Sequence, residues 1–163
     1  MEQTYDELYH EFFARSPIGC GISDEAGRLV DFNDAMLRYS GFSREDIFKI
    51  GSVTELYYDG AKERERLLGI ARERGGIERE EVRFKKKDGS WFWTLMSLRR
   101  VSSGGKNYWL AVIEDITGRK KAEAEREQYV RDLERLTKMM AAREVKMIEL
   151  KEKIGHLEKK KRV

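Results

Sequence analysis

The side chains of this sequence that could do chemistry are few and widely separated. The chain has one cysteine, Cys20, and two histidines, His10 and His156, which lie near opposite ends. A histidine-rich metal site and a Ser-His-Asp triad both need such residues close together, so neither is expected. A lone thiol excludes an internal disulfide and fits a reducing cytosol, and the residues next to Cys20 lack the cations that would make it reactive.

Catalysis by this chain is therefore not expected. The sequence contains no paired nucleophile and base, no phosphate-binding loop and no cluster of metal ligands. His156 lies in a long charged segment and is interpreted as a solvated residue rather than a phosphoacceptor. The function classes that remain are sensing, signalling and protein interaction. Neither catalytic residues nor a metal site are expected.

Charge divides the 163-residue chain into two parts. Residues 118–163 hold 15 Lys/Arg and 9 Asp/Glu, whereas residues 1–117 hold 18 and 21, so a basic tail follows an acidic body. The length fits one domain with an appendage. No apolar run approaches the roughly 20 residues that span a bilayer, and no secretory signal is visible, so a cytoplasmic protein without a membrane span is expected.

Residues 1–15 are predicted to form an amphipathic helix. Thr4 and Glu7 have the spacing of an N-terminal capping box. The apolar face of this helix would pack either on the chain's own domain or against a second copy in a dimer, and both interpretations stay open. Five large side chains recur on it at helical spacing: Tyr5, Leu8, Tyr9, Phe12 and Phe13.

The middle of the chain, residues 16–117, is predicted to be one α+β domain with a single antiparallel sheet. It opens with two strands joined by a turn at residues 24–27. The last two of its three closing strands, expected over 91–101 and 106–116, are apolar on both faces. The second face of the sheet therefore needs a cover, and the aromatic N-terminal helix is the nearest candidate.

Short helices are expected between the second and third strands, packed on one face of the sheet. Each has a cap residue or a terminating glycine: Asn33 or Asp34 with Gly41, the Ser43 and Asp46 pair, a single turn over 53–57, and Asp59 before a helix over 60–74.

Residues 118–163 are predicted to form one long coiled-coil helix that begins near Thr117. Eight of the ten seam positions between Arg126 and Leu157 are apolar at heptad spacing. So narrow an apolar stripe on a long helix needs a partner helix, although Arg126 and Arg143 weaken the seam. A homodimer is expected through this helix and the N-terminal one, with contacts at Tyr5, Leu8, Tyr9, Phe12, Tyr129, Leu133, Leu136, Met140, Met147, Leu150, Ile154 and Leu157.

Several motifs between residues 12 and 122 together resemble a PAS domain of bacterial or archaeal sensory type. They are Ser16-Pro17-Ile18-Gly19, Ile22-Ser23-Asp24, Gly27-Arg28-Leu29-Val30, Asn33, residues 39–46, residues 86–93 and Glu114-Asp115-Ile116-Thr117. The resemblance implies a PAS fold with an antiparallel sheet, short helices on one face, an N-terminal capping helix and a long C-terminal helix. It also implies a signal junction at Asp115, Ile116 and Thr117, which leads into an output coiled coil.

PAS domains can hold cofactors, and the residues of this sequence argue against two of them, flavin and haem. A photosensory flavin site needs a cysteine, which residues 50–54 lack, and its polar positions correspond here to Phe84, Thr94 and Ile113. Haem needs a histidine ligand on the long helix, and residues 60–76 contain none. Met96 and Tyr39, which lie outside that helix, are the alternative residues that could ligate haem. No cofactor is therefore expected.

A small apolar ligand remains compatible with the resemblance. The side chains expected between the sheet and the helices are mostly apolar, with Thr94 as the one polar anchor. They would equally form an ordinary packed core that binds nothing. The candidate pocket residues are Phe32, Met36, Leu56, Leu68, Val82, Phe84, Thr94, Met96, Leu98, Ala111 and Ile113.

Two functions from different classes fit these observations. The first is a dimeric sensory module, as in a two-component histidine kinase, that relays a small-molecule or partner signal from the PAS core to the coiled coil. The second is a ligand-free scaffold for dimerisation or protein interaction. The effector stays unidentified. Nucleic acid is not an expected partner, because the basic cluster at 159–162 lacks the interleaved aromatic residues of such a site.

Overall fold

A computed structural model describes residues 2–161, with the side chains of residues 4–158. The chain divides into two compact units, Met1–Gly118 and Arg119–Val163, so the N-terminal helix belongs to the first unit. The basic cluster predicted at 159–162 lies outside the residues whose side chains are described. Among the described helices, none combines the length and apolarity that crossing a bilayer requires.

The first unit is built on one five-stranded antiparallel sheet, which confirms the α+β fold class. Its strands are β1 (Gly19–Asp24), β2 (Leu29–Phe32), β3 (Ile77–Lys85), β4 (Trp91–Ser103) and β5 (Lys106–Asp115). Their order across the sheet is β2-β1-β5-β4-β3, so the first and last strands of the domain are paired with each other.

The described residues also form six helices, close to the predicted ranges. They are α1 (Glu2–Arg15), α2 (Asp34–Ser40), α3 (Arg44–Ile50), α4 (Val53–Leu56), α5 (Ala61–Arg74) and α6 (Thr117–Lys161). The largest fully buried side chains include Phe32 of β2, Ile47 of α3, Leu67 of α5, and Phe92 and Met96 of β4. The core therefore lies between one face of the sheet and the short helices.

Two of the predicted helix starts are confirmed by their caps. The Asn33 side chain accepts a hydrogen bond from the Met36 amide, and Gly41 ends α2 in the left-handed conformation. Ser43 and Asp46 form the reciprocal capping box of α3, in which each side chain accepts a hydrogen bond from the other residue's amide. These short helices thus begin where their own side chains can satisfy free backbone amides.

Two other predicted caps are wrong. Thr4 lies within α1, which begins at Glu2, so it does not occupy the N-cap position. Asp59 does not cap α5: Gly60 holds the N-cap position without a side-chain hydrogen bond. The Asp59 carboxylate instead accepts a hydrogen bond from the Arg83 guanidinium at 2.8 Å, because a charged donor on the neighbouring strand competes for it.

A single buried side chain, Asn33, joins three segments of the first unit. Its amide oxygen accepts a hydrogen bond from the Cys20 amide at 2.9 Å, in addition to the α2 cap. Its amide nitrogen donates to the Ile18 carbonyl at 2.8 Å and to the Phe13 carbonyl at 3.1 Å. Asn33 therefore ties the end of α1 to the start of β1 and of α2.

The predicted cover of the second sheet face by the aromatic face of α1 is not formed within one chain. Helix α1 packs chiefly against α2, because the hydrogen bond from the Asn33 amide to the Phe13 carbonyl holds its C-terminal end there. The apolar face remains exposed, with Phe12 at 78% of its full accessible surface, and Val112 on the sheet is 44% exposed. The other exposed members of that face are Tyr5, Leu8 and Tyr9.

Candidate ligand cavity and signal junction

The core of the first unit contains a small apolar cavity of about 30 Å³. This volume holds one or two water-sized groups, since a single one needs about 10–15 Å³. Backbone and side chains of β1, β2, the short helices and the last three strands surround it. The lining residues are Gly21, Ile22, Ser23, Leu29, Phe32, Met36, Ile47, Val53, Leu56, Tyr57, Phe84, Met96, Ala111 and Ile113.

The structure brings most, but not all, of the candidate pocket residues to this cavity. Leu68 and Leu98 line a second cavity of about 30 Å³. Val82 and Thr94 are buried but line neither cavity. The seven candidates in the wall of the core cavity are Phe32, Met36, Leu56, Phe84, Met96, Ala111 and Ile113.

Thr94, the predicted polar anchor, is placed away from the cavity. Its hydroxyl donates a hydrogen bond to the Val82 carbonyl at 2.9 Å, between two paired strands. A buried hydroxyl that has found a backbone acceptor gains nothing by turning to a ligand. The structure therefore gives Thr94 a role in the sheet rather than in ligand contact.

Two residues with polar side chains in the cavity wall, Tyr57 and Ser23, were not singled out in the sequence. Burial raises the pKa of the Tyr57 phenol to about 12, so this group is neutral at physiological pH. Tyr57 follows α4 and forms an isolated bridge with Phe84 of β3. Because that bridge joins residues 27 positions apart, local patterning carries no signal for it.

A close approach of backbone to side chain explains the glycine at the start of β1. A Cβ atom at Gly19 would lie 2.9 Å from the Met36 sulfur and 3.1 Å from the Ile113 carbonyl oxygen. Both neighbours belong to the cavity wall, so a larger residue at position 19 would push α2 and β5 apart.

The lining of the core cavity lacks the two residue types that the sequence analysis linked to haem and to a photosensory flavin. The lining residues include no histidine and no cysteine. His10 and His156 lie on α1 and α6. The described residues contain no group of three His, Cys, Asp or Glu side chains able to hold a metal ion. Burial raises the pKa of the Cys20 thiol, which disfavours the reactive thiolate.

The predicted junction residues Asp115, Ile116 and Thr117 lie together where β5 ends and α6 begins. The Asp115 carboxylate accepts a hydrogen bond from the Thr117 amide at 2.8 Å. The Ile116 amide donates to the Trp93 carbonyl at 2.9 Å, and the Trp93 amide donates to the Thr117 hydroxyl at 3.0 Å. Ile116 is buried. The start of α6 is therefore attached to the main chain of β4.

The predicted seam of α6 is exposed in the single chain. Its accessible side chains are Tyr129, Leu133, Leu136, Met140, Met147, Leu150, Ile154 and Leu157. Apolar groups at heptad spacing on a free helix are typical of a surface that another helix covers.

Comparisons with known proteins agree with this geometry. A family model described as PAS domain matches residues 17–118. The oxygen sensor protein DosP of Escherichia coli (strain K12) is 28% identical over 121 residues, which cover 70% of this chain and 15% of that relative.

Solved structures show the same fold. A PAS domain from a two-component sensor histidine kinase superposes with a TM-score of 0.61 at 15% identity, over 71% of this chain and 99% of that one. The PAS domain of a LuxR-family transcriptional regulator from Burkholderia thailandensis, in complex with ethanol, has a TM-score of 0.55 at 23% identity, over 66% and 96%. By its sequence match and its fold, the chain belongs to the PAS domain family of sensory, signal-transduction modules.

Proposed function

We propose that this chain is the input module of a signalling protein, in which the first unit responds to a ligand or partner and α6 carries the response to an effector. The hydrogen bonds between the main chain of Trp93 and the start of α6 carry this proposal. The same strand contributes Met96 to the cavity wall. A displacement of β4 at the cavity would therefore move the residues that hold α6.

The input that the core suits best is a small, neutral, largely apolar molecule. The cavity lining is mainly apolar, and the Tyr57 phenol is uncharged. Met36 and Met96 have unbranched side chains, which can repack around a guest. The ethanol complex of the Burkholderia thailandensis relative supports a ligand of this size class. The catalytic step, as in a sensor histidine kinase, would belong to the effector rather than to this chain.

Dimerisation through α6 is the second part of the proposal, and it is tested by two acidic substitutions in the seam. Leu133→Asp combined with Leu150→Asp places charge in an apolar helix contact, where it is costly to bury. We expect the dimer dissociation constant to rise at least about 100-fold. Sedimentation equilibrium of the full chain at micromolar concentration measures this change.

Val145→Asp is the matched control, since Val145 is an exposed apolar residue of α6 that lies outside the heptad seam. It should leave the dissociation constant within about threefold of the unsubstituted chain. A monomeric unsubstituted chain, or an equal loss from Val145→Asp, would contradict the proposed seam.

The junction is tested separately by Asp115→Ala. Loss of the carboxylate acceptor frees the Thr117 amide, and a side-chain to backbone hydrogen bond of this kind contributes about 1 kcal/mol. We expect amide hydrogen exchange in the first turn of α6 to accelerate about fivefold, with the unfolding free energy of the first unit changed by less than about 1 kcal/mol. Hydrogen-exchange mass spectrometry of the full chain measures both regions.

Glu114→Ala is the control for the junction, because this exposed carboxylate lies one residue earlier on β5. It should leave exchange in α6 unchanged. Equal exchange in all three proteins would show that the Asp115 carboxylate does not hold the junction.

The small volume of the core cavity favours a second candidate, a ligand-free PAS scaffold whose coil only dimerises or binds other proteins. Native mass spectrometry separates the two functions. A persistent extra mass of a few heavy atoms supports sensing, and a clean apo-dimer supports the scaffold. A visible absorbance spectrum of the same sample tests the expectation that neither haem nor flavin is bound.

A further inference from the structure

A groove on the surface of the first unit, distinct from the core cavity, has the size of a ligand site. Its volume is about 590 Å³, within the range of about 300–1,000 Å³ that small-molecule pockets occupy. We name it the α5 groove. The residues that define it are Leu68, Ala71 and Arg72 of α5, Arg100 and Trp109 of the sheet, and Glu25 of the β1–β2 turn.

Cations outnumber carboxylates in the wall of the α5 groove. Arg72 and Arg100 supply two guanidinium groups, and Glu25 supplies the one carboxylate among the described lining residues. Glu25 forms an ion pair with Arg100. Among the described residues, no carboxylate lies within ion-pair distance of Arg72. One guanidinium of the groove is therefore available to an anion from solution.

The floor of the α5 groove is apolar. Leu68 and Ala71 come from one turn of α5, and Trp109 comes from β5. Trp109 is partly buried against the hydrophobic core, so its indole is held in place. An aromatic or aliphatic group would find contact here, and a bound anion would lie beside it.

Glu25 already shows what kind of group the groove accepts. Its carboxylate pairs with Arg100, although both side chains remain 52% exposed. Exposed ion pairs contribute little to stability. A carboxylate or phosphate from solution can therefore replace the Glu25 carboxylate at Arg100 without unfolding the turn. The planar guanidinium also matches such groups with two parallel hydrogen bonds.

We propose that the α5 groove binds a small organic anion, with a carboxylate or phosphate monoester on Arg72 and Arg100 and an apolar body on Leu68 and Trp109. This site is additional to the core cavity and does not depend on the proposed sensory function.

Binding of an anion in the groove would affect the packing of the core through Trp109. Trp109 alternates with Ala111 and Ile113 on β5, so the three side chains lie on the same face of the sheet. Leu68 and Trp109 also line the second cavity, which shares Ser23 and Tyr57 with the core cavity. An anion that moves the indole would therefore change the packing of the core cavity wall.

The proposal is tested with benzoate and phenyl phosphate as probes and benzyl alcohol as the neutral comparison. The full chain is labelled with 5-fluorotryptophan, and its three resonances are assigned with single Trp→Phe variants. We expect both anions to shift the Trp109 resonance at millimolar concentration, with little change at Trp91 or Trp93. Benzyl alcohol should bind at least about tenfold more weakly, because it lacks the charge.

Two substitutions act in opposite directions. Arg72→Gln should weaken both anions about tenfold, since a charged hydrogen-bond partner is lost. Glu25→Gln should strengthen them, because the competing internal carboxylate is removed. Arg38→Gln, at an exposed arginine on α2, is the matched control and should leave both titrations unchanged.

Three results would overturn the proposal. The first is no shift of the Trp109 resonance up to about 10 mM of either anion, a limit that corresponds to negligible affinity. The second is equal binding of benzyl alcohol. The third is equal weakening by Arg72→Gln and Arg38→Gln, which would indicate diffuse surface charge instead of a site.

Discussion

Asn33→Ala is expected to lower the unfolding free energy of the first unit by about 3–5 kcal/mol. Loss of the α2 cap accounts for about 1 kcal/mol. The Cys20 amide and the Ile18 carbonyl, whose hydrogen bonds to Asn33 are part-buried, would also lose their partners, at about 1–2 kcal/mol each. Urea unfolding followed by tryptophan fluorescence measures the change, provided that the denaturant slope stays constant.

Asn107→Ala is the matched control, since the chain has only these two asparagines. The Asn107 side chain accepts a hydrogen bond from the Ser102 hydroxyl near the solvent-exposed end of the β4–β5 hairpin. Its removal should change stability by less than about 1 kcal/mol. Similar losses for the two variants would mean that the buried Asn33 network does not hold the three segments together.

Met96→Ala is expected to cost about 2–5 kcal/mol and to convert the core cavity into a binding site for apolar probes. Met96 is fully buried at the centre of β4, and its side chain lines the cavity. Removing it enlarges an apolar space that water does not fill well. Thermal unfolding with and without benzene measures both effects: the variant should regain several degrees in benzene, and the unsubstituted chain should not.

Met96→Leu keeps the apolar volume and should cost less than about 1.5 kcal/mol, without a response to benzene. If Met96→Ala lost stability but gained nothing from benzene, the space around position 96 would have collapsed. The core would then be a poor site for a guest, and the scaffold function would be favoured over ligand sensing.

Local signals were sufficient to predict most elements of the fold. The Ser43 and Asp46 pair predicted the start of α3, and Gly41 predicted the end of α2, because each acts through atoms a few residues away. Asp59 was wrongly predicted to cap α5, because its actual partner is distant in sequence. Its competitor, Arg83, lies 24 residues later in sequence, and no local pattern reports that contact.

The candidate site could be predicted in part, and on the strands the alternation of side chains decides which residues face the core. This rule placed Phe84, Met96 and Ile113 correctly in the cavity wall. It does not tell which inward residues border an empty space, so Thr94 was expected there and Tyr57 was not. The dimer seam and the ligand remain predictions, since they concern molecules beyond one chain.

The α5 groove was not predicted at all, and its composition explains why. Glu25, Arg72 and Arg100 come from a turn, a helix and a strand that are far apart in sequence. Each alone is an ordinary charged surface residue. Their proximity depends on the pairing of β1 with β5, which is a property of the whole sheet.

The attachment of α6 to Trp93 affects how readily the sheet and α6 can be recombined with parts of other PAS proteins. The atoms of Trp93 that hold Ile116 and Thr117 belong to the peptide backbone, which every residue other than proline offers in full. Substitutions along β4 other than to proline would therefore leave these hydrogen bonds to the start of α6 in place. Under the proposed relay, a hybrid protein that keeps residues 115–117 should accept the sheet of another PAS domain without loss of signalling.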